Sequence, residues 1–154
     1  MALDRTFARG LATVALAGLA SPALAQVSVT DAWVRGTVAP QTSSAAYMTL
    51  RASQPMAVVA AASPFAKQAA IHEMTMDGGV MRMRSVPALP LPADKSVALV
   101  PNGYHVMLTG LLRPLKEGEK VPIVLTLKDA GGKQSTLAVE ALVRPLTAGS
   151  HTGH

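Results

Sequence analysis

His72-Glu73-Met74-Thr75-Met76-Asp77-Gly78-Gly79-Val80-Met81-Arg82-Met83-Arg84 reads as two short strands joined by a turn. Side chains at i and i+2 of a strand share a face. His72, Met74 and Met76 therefore lie together, as do Met81 and Met83. Asp-Gly is a preferred type I′ turn. A two-residue turn at Asp77-Gly78 sets His72 opposite Met83, Met74 opposite Met81 and Glu73 opposite Arg82. A turn at Gly78-Gly79 sets Met74 opposite Met83 and Glu73 opposite Arg84 instead. The first register is the expected one, and the grouping on one face survives in both.

Outward from this hairpin the chain continues as short strands separated by turn residues. Val27 to Val34, Ala45 to Leu50 and Met56 to Ala61 precede it, and Lys67 to Met76 and Val80 to Val86 are its own arms. Ser96 to Val100, Tyr104 to Leu112, Val121 to Leu127 and Thr136 to Val143 follow. Pro101-Asn102-Gly103 suits a turn, and Asp129-Ala130-Gly131-Gly132 marks a second hairpin. Pro87, Pro90 and Pro92 break the intervening segment. Ala57 to Ala70 is rich in alanine, a helix former, but Pro64 interrupts it. No segment keeps a capped helical period. Many short strands at regular spacing predict an all-β chain, a sandwich or small barrel.

The N-terminal stretch reads differently. Arg5 and Arg9 precede a small apolar run from Gly10 to Leu19, and Ala23-Leu24-Ala25 supplies a cleavage site. These are the three parts of a secretory signal peptide, so export is expected. The apolar run is too short for a bilayer core, so no stable membrane insertion is expected after cleavage. The chain of 154 residues carries a net charge of +5, but its basic residues are scattered and aromatics are only 3%. That is a poor nucleic-acid surface. Cysteine is absent, which removes disulfides, thiol redox chemistry and thiolate ligands. No Ser/His/Asp grouping stands out, and no enzyme is expected.

The chemistry sits between positions 72 and 107, where His72, Met74, Met76, Met81, Met83, His105 and Met107 fall together. His105 and Met107 share a face of their own strand. If that strand lies beside the hairpin, two imidazoles and two thioethers converge on one ion. Thioether sulfur is soft and neutral and selects Cu(I). Zinc sites use thiolate, imidazole or carboxylate instead, and calcium and magnesium want oxygen. A blue-copper electron-transfer site would need a Cys thiolate. Met48 and Met56 read as core residues. Because imidazole must be neutral to bind, Cu(I) affinity is expected to fall below about pH 6.5.

His72, ten residues, Met83, twenty-one residues, His105, one residue, Met107 matches the H-x10-M-x21-H-x-M motif of the PCu(A)C periplasmic copper chaperones. The text around it is similar to that family as well: Gly79 to Arg84, Gly103 to Leu108, Asp31 to Val34, Ala45 to Leu50, and the turn at Leu115 to Glu119. The resemblance runs from about Val27 to Val143 by the strand reading. It implies a cupredoxin-like Greek-key β-sandwich that holds Cu(I) on His72, Met83, His105 and Met107. It also implies a periplasmic chaperone that delivers copper to the Cu(A) site of cytochrome c oxidase or a related oxidase, often alongside a Sco-type protein; separately, a monomer is expected. The competing expectation is a buffer that sequesters copper without directed delivery. Met74, Met76 and Met81 lie outside the motif, and structural or surface roles are expected for them ahead of auxiliary or transient ligation. Some relatives carry a long His/Met-rich extension, whereas this tail has only His151 and His154, which leaves at most a weak Cu(II) site there. The expected division is a signal peptide over residues 1–25, a copper-binding domain over 26–146 and a flexible tail over 147–154.

Overall fold

A computed structural model describes residues 26–147. The expected signal peptide and the tail histidines, His151 and His154, lie outside the described residues. The described chain is all β, in ten strands: β1 Val27–Arg35, β2 Ser43–Ala52, β3 Met56–Ala62, β4 Ala66–Asp77, β5 Val80–Ser85, β6 Leu89–Leu91, β7 Ser96–Leu99, β8 Tyr104–Leu111, β9 Lys120–Asp129 and β10 Gln134–Arg144. The alanine-rich segment forms β3 and the start of β4, with the turn at Pro64 between them. β6 falls in the proline-broken segment that the sequence left without a strand. It sits at an end of the sheet, where Pro90 costs no interior ladder bond.

The sheet runs in the order β5-β4-β8-β2-β1-β10-β9-β3-β6, and a pairing between β3 and β4 closes it. Seven strands thus form a cupredoxin-like barrel, with β5 and β6 as outer flaps. The closure is narrow, a single pair of Ala61 with Ala69. β1 runs parallel to β10, with Trp33 beside Leu142, so the two ends of the domain meet in mid-sheet. β9 and β10 form the expected hairpin. There Asp129 Oδ1 accepts the Lys133 amide at 2.9 Å, and Gly132 takes a φ of 85°, which glycine adopts without a Cβ clash.

Alternation along each strand fills the interior. β9 turns Val121, Ile123, Leu125 and Leu127 inward, and β2 turns Ala46, Met48, Leu50 and Ala52 inward. β4 and β8 contribute Ile71, Val106 and Leu108. Met48 and Met56 belong to this core, as expected of methionine used as a core filler. Because Val106 and Leu108 face in, His105 and Met107, which alternate with them, face out.

The first hairpin takes the Gly78-Gly79 register. His72 pairs with Ser85, Glu73 with Arg84, Met74 with Met83 and Met76 with Met81. This corrects the expected pairing of His72 with Met83. A type I′ turn needs positive φ at both central residues, and Gly78 and Gly79 take +57° and +81°. A turn at Asp77-Gly78 would put a residue with a Cβ into that region, so two adjacent glycines outcompete Asp-Gly. The charges agree with the observed register: Arg84 Nη2 lies 2.6 Å from Glu73 Oε2, and Arg82 Nε lies 3.5 Å from Asp77 Oδ2.

Candidate metal centre

β8 pairs with β4 on one side and β2 on the other. His72 is directly opposite His105, and Met107 is opposite both Ala70 on β4 and Ala45 on β2. Register parity then puts His72, Met74, Met83, His105 and Met107 on the same outer face, with Tyr47 and Trp33 continuing that face across β2 and β1. Every one of the four motif residues lies there. Their strands are adjacent in the sheet although 35 positions separate His72 from Met107 in number.

The outer face is not simply wet. His105 is only 1% exposed, and Tyr47 and Trp33 are buried as well. Trp33 and Tyr47 pack at 4.6 Å between ring centroids, Tyr47 and His105 at 6.3 Å, and His105 and His72 at 6.0 Å. Arg144 covers Trp33 at 5.0 Å and is held there by Asp31 Oδ1 at 2.6 Å. A small aromatic layer outside the barrel therefore walls one side of the site. On the other side an open cleft of about 420 Å³ is lined by Arg35, Tyr47, Met74, Met83, His105 and Met107, among others. His72 stands beside that cleft, in contact distance of the His105 ring, and does not line it.

His105 Nδ1 lies 3.1 Å from the carbonyl oxygen of Gly103. A carbonyl only accepts, so Nδ1 carries the proton and Nε2 keeps a bare lone pair. His105 Nε2 is buried and meets no hydrogen-bond partner among the described residues, and the same is true of His72 Nδ1. Leaving such atoms unpaired costs about 1–3 kcal/mol each. Two unpaired imidazole nitrogens on neighbouring rings, tilted by 60° with centroids 6.0 Å apart and flanked by thioethers, are the donor set a soft cation would satisfy. Among the described residues no three of His, Asp or Glu gather around a common point, so the site offers imidazole and thioether, not a carboxylate cage. Arg35 Nε is a third buried nitrogen without a partner.

Burial holds the His105 imidazole below its ordinary pKa, and the positive fields of His72 and Arg35 act in the same direction. The hydrogen bond to Gly103 opposes them only in part. The folded chain thus binds a proton at His105 less readily than the unfolded chain does. This contribution to stability is fully present above the unfolded value of about 6.5, and it is lost as pH falls through the lowered folded value. The urea midpoint of the metal-free protein should drop between pH 7.5 and pH 5. His105→Gln should flatten that drop, and an equal slope in both proteins would show that another group governs it. Burial also raises the Tyr47 phenol above its usual range, against the pull of Arg35.

Sequence reasoning did not place Tyr47 and Arg35 in the site, and it kept Met74 on the same face but outside the motif. Met74 became a direct neighbour of Met83 only through the shifted register. Tyr47 and Arg35 had no legible signal, because their place depends on β1 and β2 lying next to β8.

Residues 27–141 match a family model described as "Putative lipoprotein LpqE-like". The chain belongs to the LpqE-like family. "Putative lipoprotein Lxx21020" of Leifsonia xyli subsp. xyli (strain CTCB07) is 32% identical to this chain over 114 residues, covering 73% of this chain and 68% of that protein. Solved structures that share the fold of this LpqE-like chain include two with unlike degrees of identity. The apo PCuAC domain from PmoF1 superposes with a TM-score of 0.64 at 18% identity, covering 79% of this chain and 95% of that one. The solution structure of CuI-DR1885 from Deinococcus radiodurans gives 0.56 at 38% identity, covering 83% of each chain.

Proposed function

We propose that this LpqE-like chain is an exported carrier of Cu(I), which it holds on His72, Met83, His105 and Met107 and delivers to the Cu(A) site of a respiratory oxidase. The observation that carries the binding half is the pair of buried, unpartnered imidazole nitrogens on His72 and His105, set on one face with Met83 and Met107. The Cu(I) named with the Deinococcus radiodurans structure supports the choice of ion. Export rests on the signal-peptide pattern and on the lipoprotein wording of the family and of its Leifsonia relative.

Each group has a separate task. His105 is presented with its proton already on Nδ1, so Nε2 accepts the ion without a tautomer change. His72 supplies the second imidazole from the adjacent strand. Met83 and Met107 supply neutral sulfurs that favour a soft ion. With four neutral ligands the loaded site carries only the charge of the ion. Arg35, whose field already repels a proton from His105, repels a divalent ion twice as strongly as a monovalent one. This favours Cu(I) over Cu(II). Thioethers and imidazoles hold the ion without thiolate bonds, which suits a protein that must give it up.

The destination rests on the resemblance to the PCu(A)C chaperones, and transfer tests it. The loaded protein is mixed with the metal-free soluble domain of an oxidase Cu(A) subunit, and the two are separated and assayed for copper. The expected result is one Cu(I) per chain at the start and its appearance on the subunit afterwards. Trp33 is the single tryptophan, and it contacts the site through Tyr47, so its fluorescence should change on loading and revert on transfer. Copper that stayed on this chain would favour sequestration over delivery. A chain that took up no Cu(I) would end the proposal.

A further inference from the structure

The hairpin of β4 and β5 has two unlike faces. Glu73, Asp77, Arg82 and Arg84 all project from one, where they pair with each other. The other carries His72, Met74, Met76, Met81 and Met83 and no charge. Met76 and Met81 are directly opposite each other at the tip, with Cβ atoms about 4.5–5.5 Å apart in such pairs. They are 65% and 47% exposed. Packing therefore does not account for them, since a methionine that serves as core filler is covered, as Met48 is. The next pair inward is Met74 with Met83, and beyond it stand His72 and the fully covered His105. Successive pairs on one face of a strand are about 7 Å apart, a gap that two long unbranched methionine side chains span between them.

We propose that Met76 and Met81 form a second, weaker Cu(I) station at the hairpin tip, through which the ion enters and leaves the four-ligand site. This inference rests on the carrier reading above. Two thioethers without imidazole bind Cu(I) more weakly than the four-ligand set, and such a station exchanges its ion readily. On the way out, the bonds from copper to His72, His105 and Met107 break while Met83 stays attached. Met74, then Met76 and Met81, replace the lost ligands in turn. The ion remains Cu(I) throughout, no proton moves, and the tip presents it on an uncharged surface that a partner's own soft ligands can reach.

The test uses the full chain and Cu(I) alone, with bicinchoninate as the acceptor. In the double variant Met76→Leu/Met81→Leu the volume and apolar character of the tip are kept and only the sulfurs are lost. Its affinity for the first copper should stay within about twofold of wild type, as for an exposed substitution. Its rate of copper release to bicinchoninate should fall roughly tenfold, equivalent to about 1.4 kcal/mol of barrier. In the wild-type protein a second equivalent of Cu(I) should move the methyl resonances of Met76 and Met81. An unchanged release rate, or methyls that do not move, overturns the station while leaving the four-ligand site intact. A wild-type chain that binds no Cu(I) overturns both readings together.

Discussion

His105→Ala is expected to weaken Cu(I) binding by on the order of 100-fold or more, because even the loss of an outer-shell partner of a metal ligand typically costs 10–100-fold. The substitution removes one of the two imidazole nitrogens that are buried and without a partner among the described residues. It also removes the only side chain in the site whose donor atom is fixed in advance by a main-chain carbonyl. Since His105 is almost fully covered, the alanine variant also leaves a gap, and a fall in affinity alone would be open to the objection of misfolding. His72→Ala meets that objection. His72 is half-buried and its ring lies 6.0 Å from that of His105, so its loss empties the same site from the rim. Both variants should titrate with the same large loss in a competition assay against a Cu(I) chelator, with the apo urea midpoint measured beside each. Unchanged affinity in either would remove that residue from the metal centre.

The second large effect is on stability. Leu108→Ala should cost about 2–5 kcal/mol, the range for a fully buried leucine. Leu108 is completely covered and lies on β8 between Ser44 of β2 and Ala69 of β4, next to the strand positions that present His105 and Met107. Loss of its side chain loosens the platform on which three of the adjacent strands are held in register. Leu112, one residue past the end of the same strand and 63% exposed, serves as the contrast. Leu112→Ala should stay within about 0.5 kcal/mol. Because only the folded chain holds the site, Cu(I) at a hundredfold excess over its dissociation constant should restore about 2.7 kcal/mol to the Leu108 variant. Urea melts of apo and loaded protein measure all three quantities. A Leu108 loss below about 1 kcal/mol would be too small for a core residue and would contradict the packing described for β8.

The all-β architecture was legible in the sequence because turn residues punctuate it so regularly. Gly78-Gly79, Pro101-Asn102-Gly103 and Gly131-Gly132 each end a run of alternating residues, and each marks a turn in the fold. The grouping of His72 with Met83, and of His105 with Met107, was legible for the same reason, since a period of two does not depend on which glycine sits at the corner; that the two groups share one face depended on β8 lying beside β4, which the spacing left open. The register itself was not. Asp-Gly and Gly-Gly are both acceptable turn dipeptides, and the choice between them rests on left-handed backbone cost and on the pairing of Glu73 with Arg84 rather than Arg82. The shift moved Met74 beside Met83. β6 was hidden by its prolines, which read as breaks although the sheet's edge accommodates them. The aromatic wall of Trp33 and Tyr47 was out of reach, because a strand's neighbours are a matter of topology and leave no trace in spacing along the chain.

The Gly103 carbonyl accepts two hydrogen bonds, one from the His105 ring and one from the amide of Met74 at 3.1 Å. Since that acceptor is a peptide oxygen, every amino acid brings the same atom to position 103. The identity of the residue enters only through its fit, since a Cβ at position 103 would stand 3.2 Å from Val100 Cγ2. What inheritance must preserve is the path of the main chain through Pro101 and Asn102, a requirement of shape that no single letter of the sequence spells.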